Sequence, residues 1–65
     1  MLHIVSKSSL FERALEYAKQ NDEIILIENN NLILVKAHIP KDRNLINYSQ
    51  FVELVIKHHQ TLTWF

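Results

Sequence analysis

The chain has 65 residues, seven acidic and seven basic side chains, no glycine and no cysteine. That length leaves room for one domain, which buries only about 60% of the surface its unfolded chain exposes. The missing cysteine excludes a thiolate nucleophile, a persulfide and a disulfide, and the missing glycine excludes standard Walker loops, dinucleotide fingerprints and nucleophile elbows. A domain this small usually needs a disulfide, a structural metal or a partner. A structural zinc site usually takes at least two cysteines among its four ligands, so oligomerisation is the remaining route. The apolar share is 48% and the charged share 22%, ordinary for a globular protein. With a formal net charge of zero there is no basic field for nucleic acid and no polybasic run for a membrane surface. No apolar stretch approaches the roughly 20 residues of a membrane span. The opening Met1-Leu2-His3-Ile4-Val5 has neither the basic region nor the cleavage site of a signal peptide, so the expected location is cytoplasmic.

Leu2 to Val5 reads as a short buried strand. Ser6-Lys7-Ser8-Ser9 is a polar break, and Ser9 with Glu12 three positions later fits a capping box. Phe11, Ala14, Leu15 and Ala18 follow the i, i+3, i+4, i+7 pattern, widened by Leu10 and Tyr17, which predicts a helix from about Leu10 to Gln20. Asn21-Asp22 is its expected end, asparagine being suited to a left-handed cap. The continuous apolar run Ile24-Ile25-Leu26-Ile27 predicts a strand covered on both faces, and strand, helix, strand is a βαβ unit. After a turn at Glu28 to Asn31, Leu32 to Val35 is either the return strand of an antiparallel hairpin or the start of a helix. Lys36 to Asn44, with the single proline Pro40, is expected to be a loop, and Leu45-Ile46 is too short to assign. Asn47 with Gln50 caps a helix from about Ser49 to His58, built on Tyr48, Phe51, Val52 and Val55 with Leu54 and Ile56 beside them. Its β-branched residues lower its intrinsic propensity, so tertiary packing must supply stability. Thr61 to Phe65 suits a short final strand. There are no repeats or linkers, and residues 1–65 read as a single domain.

The histidines His3, His38, His58 and His59 do not carry metal-ligand spacing, since the adjacent His58 and His59 point about 100° apart on a helix. A solvated helix end accounts for that pair better. Glu12 and Glu16 share a helix face, but Arg13 and Lys19 flank them as on a solvent face. Glu23, Glu28 and Glu53 have no evident partner. Ser6, Ser8 and Ser9 have no glycine elbow and no ordered His/Asp set, so capping explains them better than catalysis. Lys36, Lys41 and Arg43 form a mild basic loop without the interleaved aromatics of a nucleic-acid surface. Trp64 and Phe65 suit either an interface or the domain's own core.

Several segments taken in order resemble one family. They are Met1-Leu2-His3, then Lys7-Ser8, the helix ending at Asp22, and Ile24-Ile25-Leu26-Ile27-Glu28-Asn29. The later ones are Ile46-Asn47-Tyr48-Ser49-Gln50-Phe51-Val52-Glu53-Leu54-Val55-Ile56-Lys57-His58 and the closing Trp64. Together they look like the DsrH/TusB family of sulfur-relay subunits. Members are usually longer, with a further helix, strand and helix before the tyrosine-start helix, and often carry glycine where Asn30 stands. The resemblance implies a small three-layer α/β/α domain of DsrE/DsrF/DsrH type. It would begin as βαβ, have a truncated central region, and end in a helix and a short strand. The implied function is that of a non-catalytic subunit in a TusBCD-like hetero-oligomer supporting 2-thiolation of the tRNA wobble uridine. The implied partners are TusC/DsrF-like and TusD/DsrE-like subunits, the latter carrying the persulfide cysteine. A persulfide needs a cysteine thiolate, so a chain without one is expected to be a partner and not the carrier. It would be no enzyme and would need no cofactor. The alternatives are a DsrH-like subunit of dissimilatory sulfur oxidation and, in another class, a stand-alone homodimeric binding or regulatory module. The expected interface comprises Tyr48, Phe51, Val55, Trp64 and Phe65.

Overall fold

The computed structural model describes residues 1–65 as a small α/β fold with a five-stranded mixed sheet and two helices. The strands are β1 (Leu2–Val5), β2 (Glu23–Glu28), β3 (Asn31–Lys36), β4 (Ile39–Ile46) and β5 (Thr61–Trp64). Helix α1 (Phe11–Tyr17) joins β1 to β2, and α2 (Tyr48–Lys57) joins β4 to β5. The sheet order is β4-β3-β2-β1-β5. β1 pairs parallel with β2 and with β5, whereas β2–β3 and β3–β4 are antiparallel. The expected βαβ opening is present, and α2 carries the chain from one edge of the sheet to the other.

Side chains alternate across a strand, so the register sorts them into two faces. His3, Val5, Ile24, Leu26, Ile33, Val35 and Trp64 share one face. There Phe11 and Ala14 of α1 pack with Val5, Ile24, Leu26 and Val35 as one cluster. Leu2, Ile4, Ile25, Ile27, Leu32 and Leu34 share the other face, where Leu54 of α2 lines one open pocket with Leu34 and Ile46 and Glu23 is bonded by Lys57 and His58 at the end of α2. The two helices therefore cover opposite faces.

The segment after Ile27 settles as a hairpin. Glu28 pairs with Asn31, leaving Asn29 and Asn30 as a two-residue loop with φ of 52° and 64°. Positive φ at both positions is the mirror-image turn that matches strand twist, and asparagine is the residue other than glycine that tolerates it best.

The structure corrects four expectations. Lys36 to Asn44 is not a loop, because β4 runs from Ile39 to Ile46 and takes in Leu45-Ile46. Proline and charge are what an exposed edge strand carries to discourage further pairing, so they mimic a loop. Ser9 and Glu12 form no capping box: Ser8–Leu10 is a 3-10 turn, and α1 starts from Leu10 without a side-chain cap. Nor does α1 reach Gln20. Ala18 is already extended (φ −67°, ψ 143°), and the Asp22 carboxylate takes the Lys19 N–H at 3.0 Å while the Asp22 N–H returns to the Lys19 carbonyl. That turn, and not a left-handed Asn21, ends the helical segment. By contrast, the Asn47–Gln50 capping box of α2 forms in both directions, at 2.8 and 2.9 Å.

Candidate functional site

Two acids in succession, Asp22 and Glu23, stand where β2 begins. Alternation sends their side chains to opposite faces, and each gathers the polar groups of its own face. The Asp22 carboxylate accepts from the Met1 amino group (3.0 Å), from the Lys19 N–H (3.0 Å) and from His3 Nε2 (2.9 Å). His3 is fully buried, and its Nδ1 lies 3.1 Å from Trp64 Nε1. Indole nitrogen can only donate. Nδ1 is therefore the acceptor and the imidazole proton sits on Nε2, directed at Asp22. Tyr17 stands edge-on to both rings, 5.9 Å from His3 and 5.7 Å from Trp64. Burial pushes the Asp22 carboxyl up, but the hydrogen bonds from His3, Lys19 and Met1 outweigh it and hold it well below the usual carboxylate range.

Glu23 faces α2. Its Oε1 accepts from His58 Nε2 at 2.7 Å and from Lys57 Nζ at 3.2 Å. Burial raises its carboxyl, and these two bonds with the Lys57 charge more than reverse the effect. Sequence reasoning left Glu23 without a partner and treated His58 as a solvated helix end. The structure replaces both readings with a latch that pins the end of α2 to the start of β2. His38 and His59 remain exposed, and no three His, Asp or Glu side chains converge where they could hold a metal ion. The largest cavity, about 400 Å³, is lined by Met1, Tyr17, Lys19, Asp22 and Gln60. Its one carboxylate already accepts from three donors. Around Asp22 the arrangement supplies structural polar bonds.

Large exposed apolar side chains occur at Tyr17, Ile39, Leu45 and Phe65, and four more gather on α2. None of its residues is buried. Phe51 and Leu54 are half-buried toward the sheet, while Tyr48 and Ile56 are 72% and 73% exposed and Val52 and Val55 37% each. Tyr48, Val52, Val55 and Ile56 follow helical spacing and form one apolar stripe turned away from the core. The Tyr48 ring lies against Phe51, with centroids 6.1 Å apart. Among the five expected interface residues, Tyr48, Phe51 and Val55 thus share α2. Phe65 is exposed just beyond the end of β5. Trp64 is not brought to them, since it points to the α1 face and is held there by His3. The one mark of the Asp22–His3–Trp64 chain in the residue pattern is a histidine inside an otherwise apolar strand.

Comparison with family models, with curated proteins and with solved structures returns no match to this chain. No helix is long and apolar enough to cross a membrane.

Proposed function

We propose that the chain is a non-catalytic subunit of a sulfur-relay hetero-oligomer of TusBCD type, acting in the cytoplasm and supporting 2-thiolation of the tRNA wobble uridine. The observation that carries this reading is the apolar stripe of α2. A 65-residue domain that leaves Tyr48, Val52, Val55 and Ile56 to solvent has kept apolar area for another protein. The stripe lies within Ile46 to His58, the more specific part of the resemblance to the DsrH/TusB family. The DsrE-like arrangement of the domain belongs to the same proposal. The carboxylates engaged in structural bonds and the missing thiol suit a subunit that shapes or steadies a complex while a cysteine on a neighbouring subunit carries the sulfur.

The test is affinity capture of tagged protein from its native cytosol, with bound chains identified by mass. The expected result is two small α/β subunits, one with a reactive cysteine, captured by the natural chain and lost with Ile56→Glu at unchanged fold. Capture of neither subunit overturns the reading. If the captured cysteine subunit feeds a sulfur-oxidation enzyme and not a tRNA thiolase, the sulfur-oxidation alternative replaces the tRNA branch.

A further inference from the structure

The two edges of the sheet are built differently. β4 carries Pro40, which has no N–H to offer, then Lys41, Asp42 and Arg43, and its pairing with β3 is interrupted by an irregularity at Val35/Lys36. These are the devices by which edge strands avoid recruiting another strand. β5, Thr61-Leu62-Thr63-Trp64 continuing into Phe65, has no charge, no proline and no bulge. Its inner side pairs with β1 from Leu2↔Thr61 to Val5↔Trp64, and the ends of that ladder are marked by Leu2 N–H to the Gln60 carbonyl (2.9 Å) and Ser6 N–H to the Trp64 carbonyl (3.2 Å). Strand backbones alternate the side on which they bond. Thr61, Thr63 and Phe65 therefore turn their N–H and C=O groups outward, with no strand of this chain beside them.

We infer that this edge pairs with the same edge of a second copy, antiparallel about a two-fold axis through Thr63, joining two sheets into one of ten strands. Every outward backbone group finds its complement in that register. Thr63 opposes Thr63 of the second copy as a doubly hydrogen-bonded pair, and Thr61 opposes Phe65 in the same way on either side. Between them Leu62 faces Trp64 across a non-bonded pair on the α1 face. Threonine with threonine, threonine with an aromatic and an aliphatic with an aromatic are favourable cross-strand neighbours. A two-fold contact must be complementary to itself. Here no charge meets its like, the strand carries none, and the whole chain is formally neutral. A second copy satisfies the edge with no further requirement. The pairing uses backbone groups of β5 and no residue of α2, so it is tested separately from the relay reading.

The experiment is sedimentation of the purified chain over about 1 µM to 1 mM, the range in which a small, strand-edge contact dimerises. The natural chain is expected to pass from monomer to dimer. Thr63→Pro removes an outward N–H and no internal bond, and proline is tolerated on edges. It is expected to weaken dimerisation at least tenfold with an unchanged circular dichroism spectrum. Thr63→Lys and Thr63→Glu each place like charges opposite one another across the axis and are expected to be monomeric alone. An equimolar mixture of those two variants is expected to recover dimer, because only the proposed register sets position 63 against itself. If Thr63→Pro does not fold, the charged pair alone decides. A natural chain that stays monomeric throughout overturns the proposal. So does a dimer indifferent to both charged variants, and so do charged variants that stay monomeric when mixed.

Discussion

The sheet presents similar aliphatic strands to both sides, and the two sides are finished differently. On the α1 face His3, Val5, Ile24, Leu26 and Val35 are buried beneath Phe11 and Ala14, with Ile33 and Trp64 half-buried at the margin. A polar chain running from Trp64 through His3 to Asp22 closes the rim of that face. On the α2 face Leu2 and Ile25 are buried, but Ile4, Ile27, Leu32 and Leu34 are only half-covered. Here the helix keeps its β-branched residues outside and is fastened by Asn47–Gln50 at its start and by Glu23 with His58 and Lys57 at its end. The α1 layer is held by apolar burial and the α2 layer by its ends. One face is largely closed, and the other leaves more of its apolar side chains half-covered.

Core truncation should separate the two faces most widely. Leu26→Ala, on the sealed face, is expected to cost about 3 kcal/mol, a large part of the stability of so small a domain. Leu54→Ala, on the half-covered face, is expected to cost about 1 kcal/mol, because its side chain already meets solvent. Urea melts of the two variants measure the difference, and equal losses would abolish the contrast.

The carboxylates come next. Asp22→Asn is expected to cost about 2–3 kcal/mol, since it weakens three bonds around a buried group. Glu23→Gln should cost about half as much, because Lys57 is largely exposed. Both acids have folded-state pKa values below their unfolded ones. Their contribution is therefore complete above the ordinary carboxylate range and is lost as pH falls through the lowered values. Stability of the natural chain should decline as pH drops below about 4, and Asp22→Asn should flatten most of that slope in thermal melts. A slope unchanged in the variant would place the acid sensitivity elsewhere.

Surface changes on the two layers sharpen the comparison further. Ile56→Ser and Tyr48→Ser should alter stability by no more than about 0.5 kcal/mol while abolishing subunit capture. A large stability loss would mean that the stripe is core to the domain itself. The smallest effect is a gain. Asn30→Gly relieves positive φ in the hairpin and should stabilise by about 0.5 kcal/mol, read as a rise in melting temperature.

Legibility followed the kind of interaction. The β1–α1–β2 opening and α2 were readable because burial imposes period on their apolar residues, and the Asn47–Gln50 cap was readable because both partners lie within one turn. β4 was missed because an edge strand exposed along nearly its whole length has no burial period to display, and Pro40, Lys41, Asp42 and Arg43 spell a loop. The end of α1 was misjudged because Asp22, called on by His3 and Met1 from another strand, draws the chain out of the helix early. The latch joins residues 34 and 35 positions apart, a separation no local pattern encodes.

By itself the sequence determined that this is a small neutral chain without thiol or glycine chemistry, opening as βαβ and closing with a capped amphipathic helix and a strand. These follow from residue types and from periods that sterics and burial impose locally. Only the tertiary structure decided that residues 29–46 form a hairpin and an edge strand, and that Asp22 and Glu23 anchor opposite faces. It also decided that Trp64 turns inward to His3 while the α2 stripe turns out. Each of those depends on which groups meet across the sheet, and pairing between distant strands fixes that after the local elements exist.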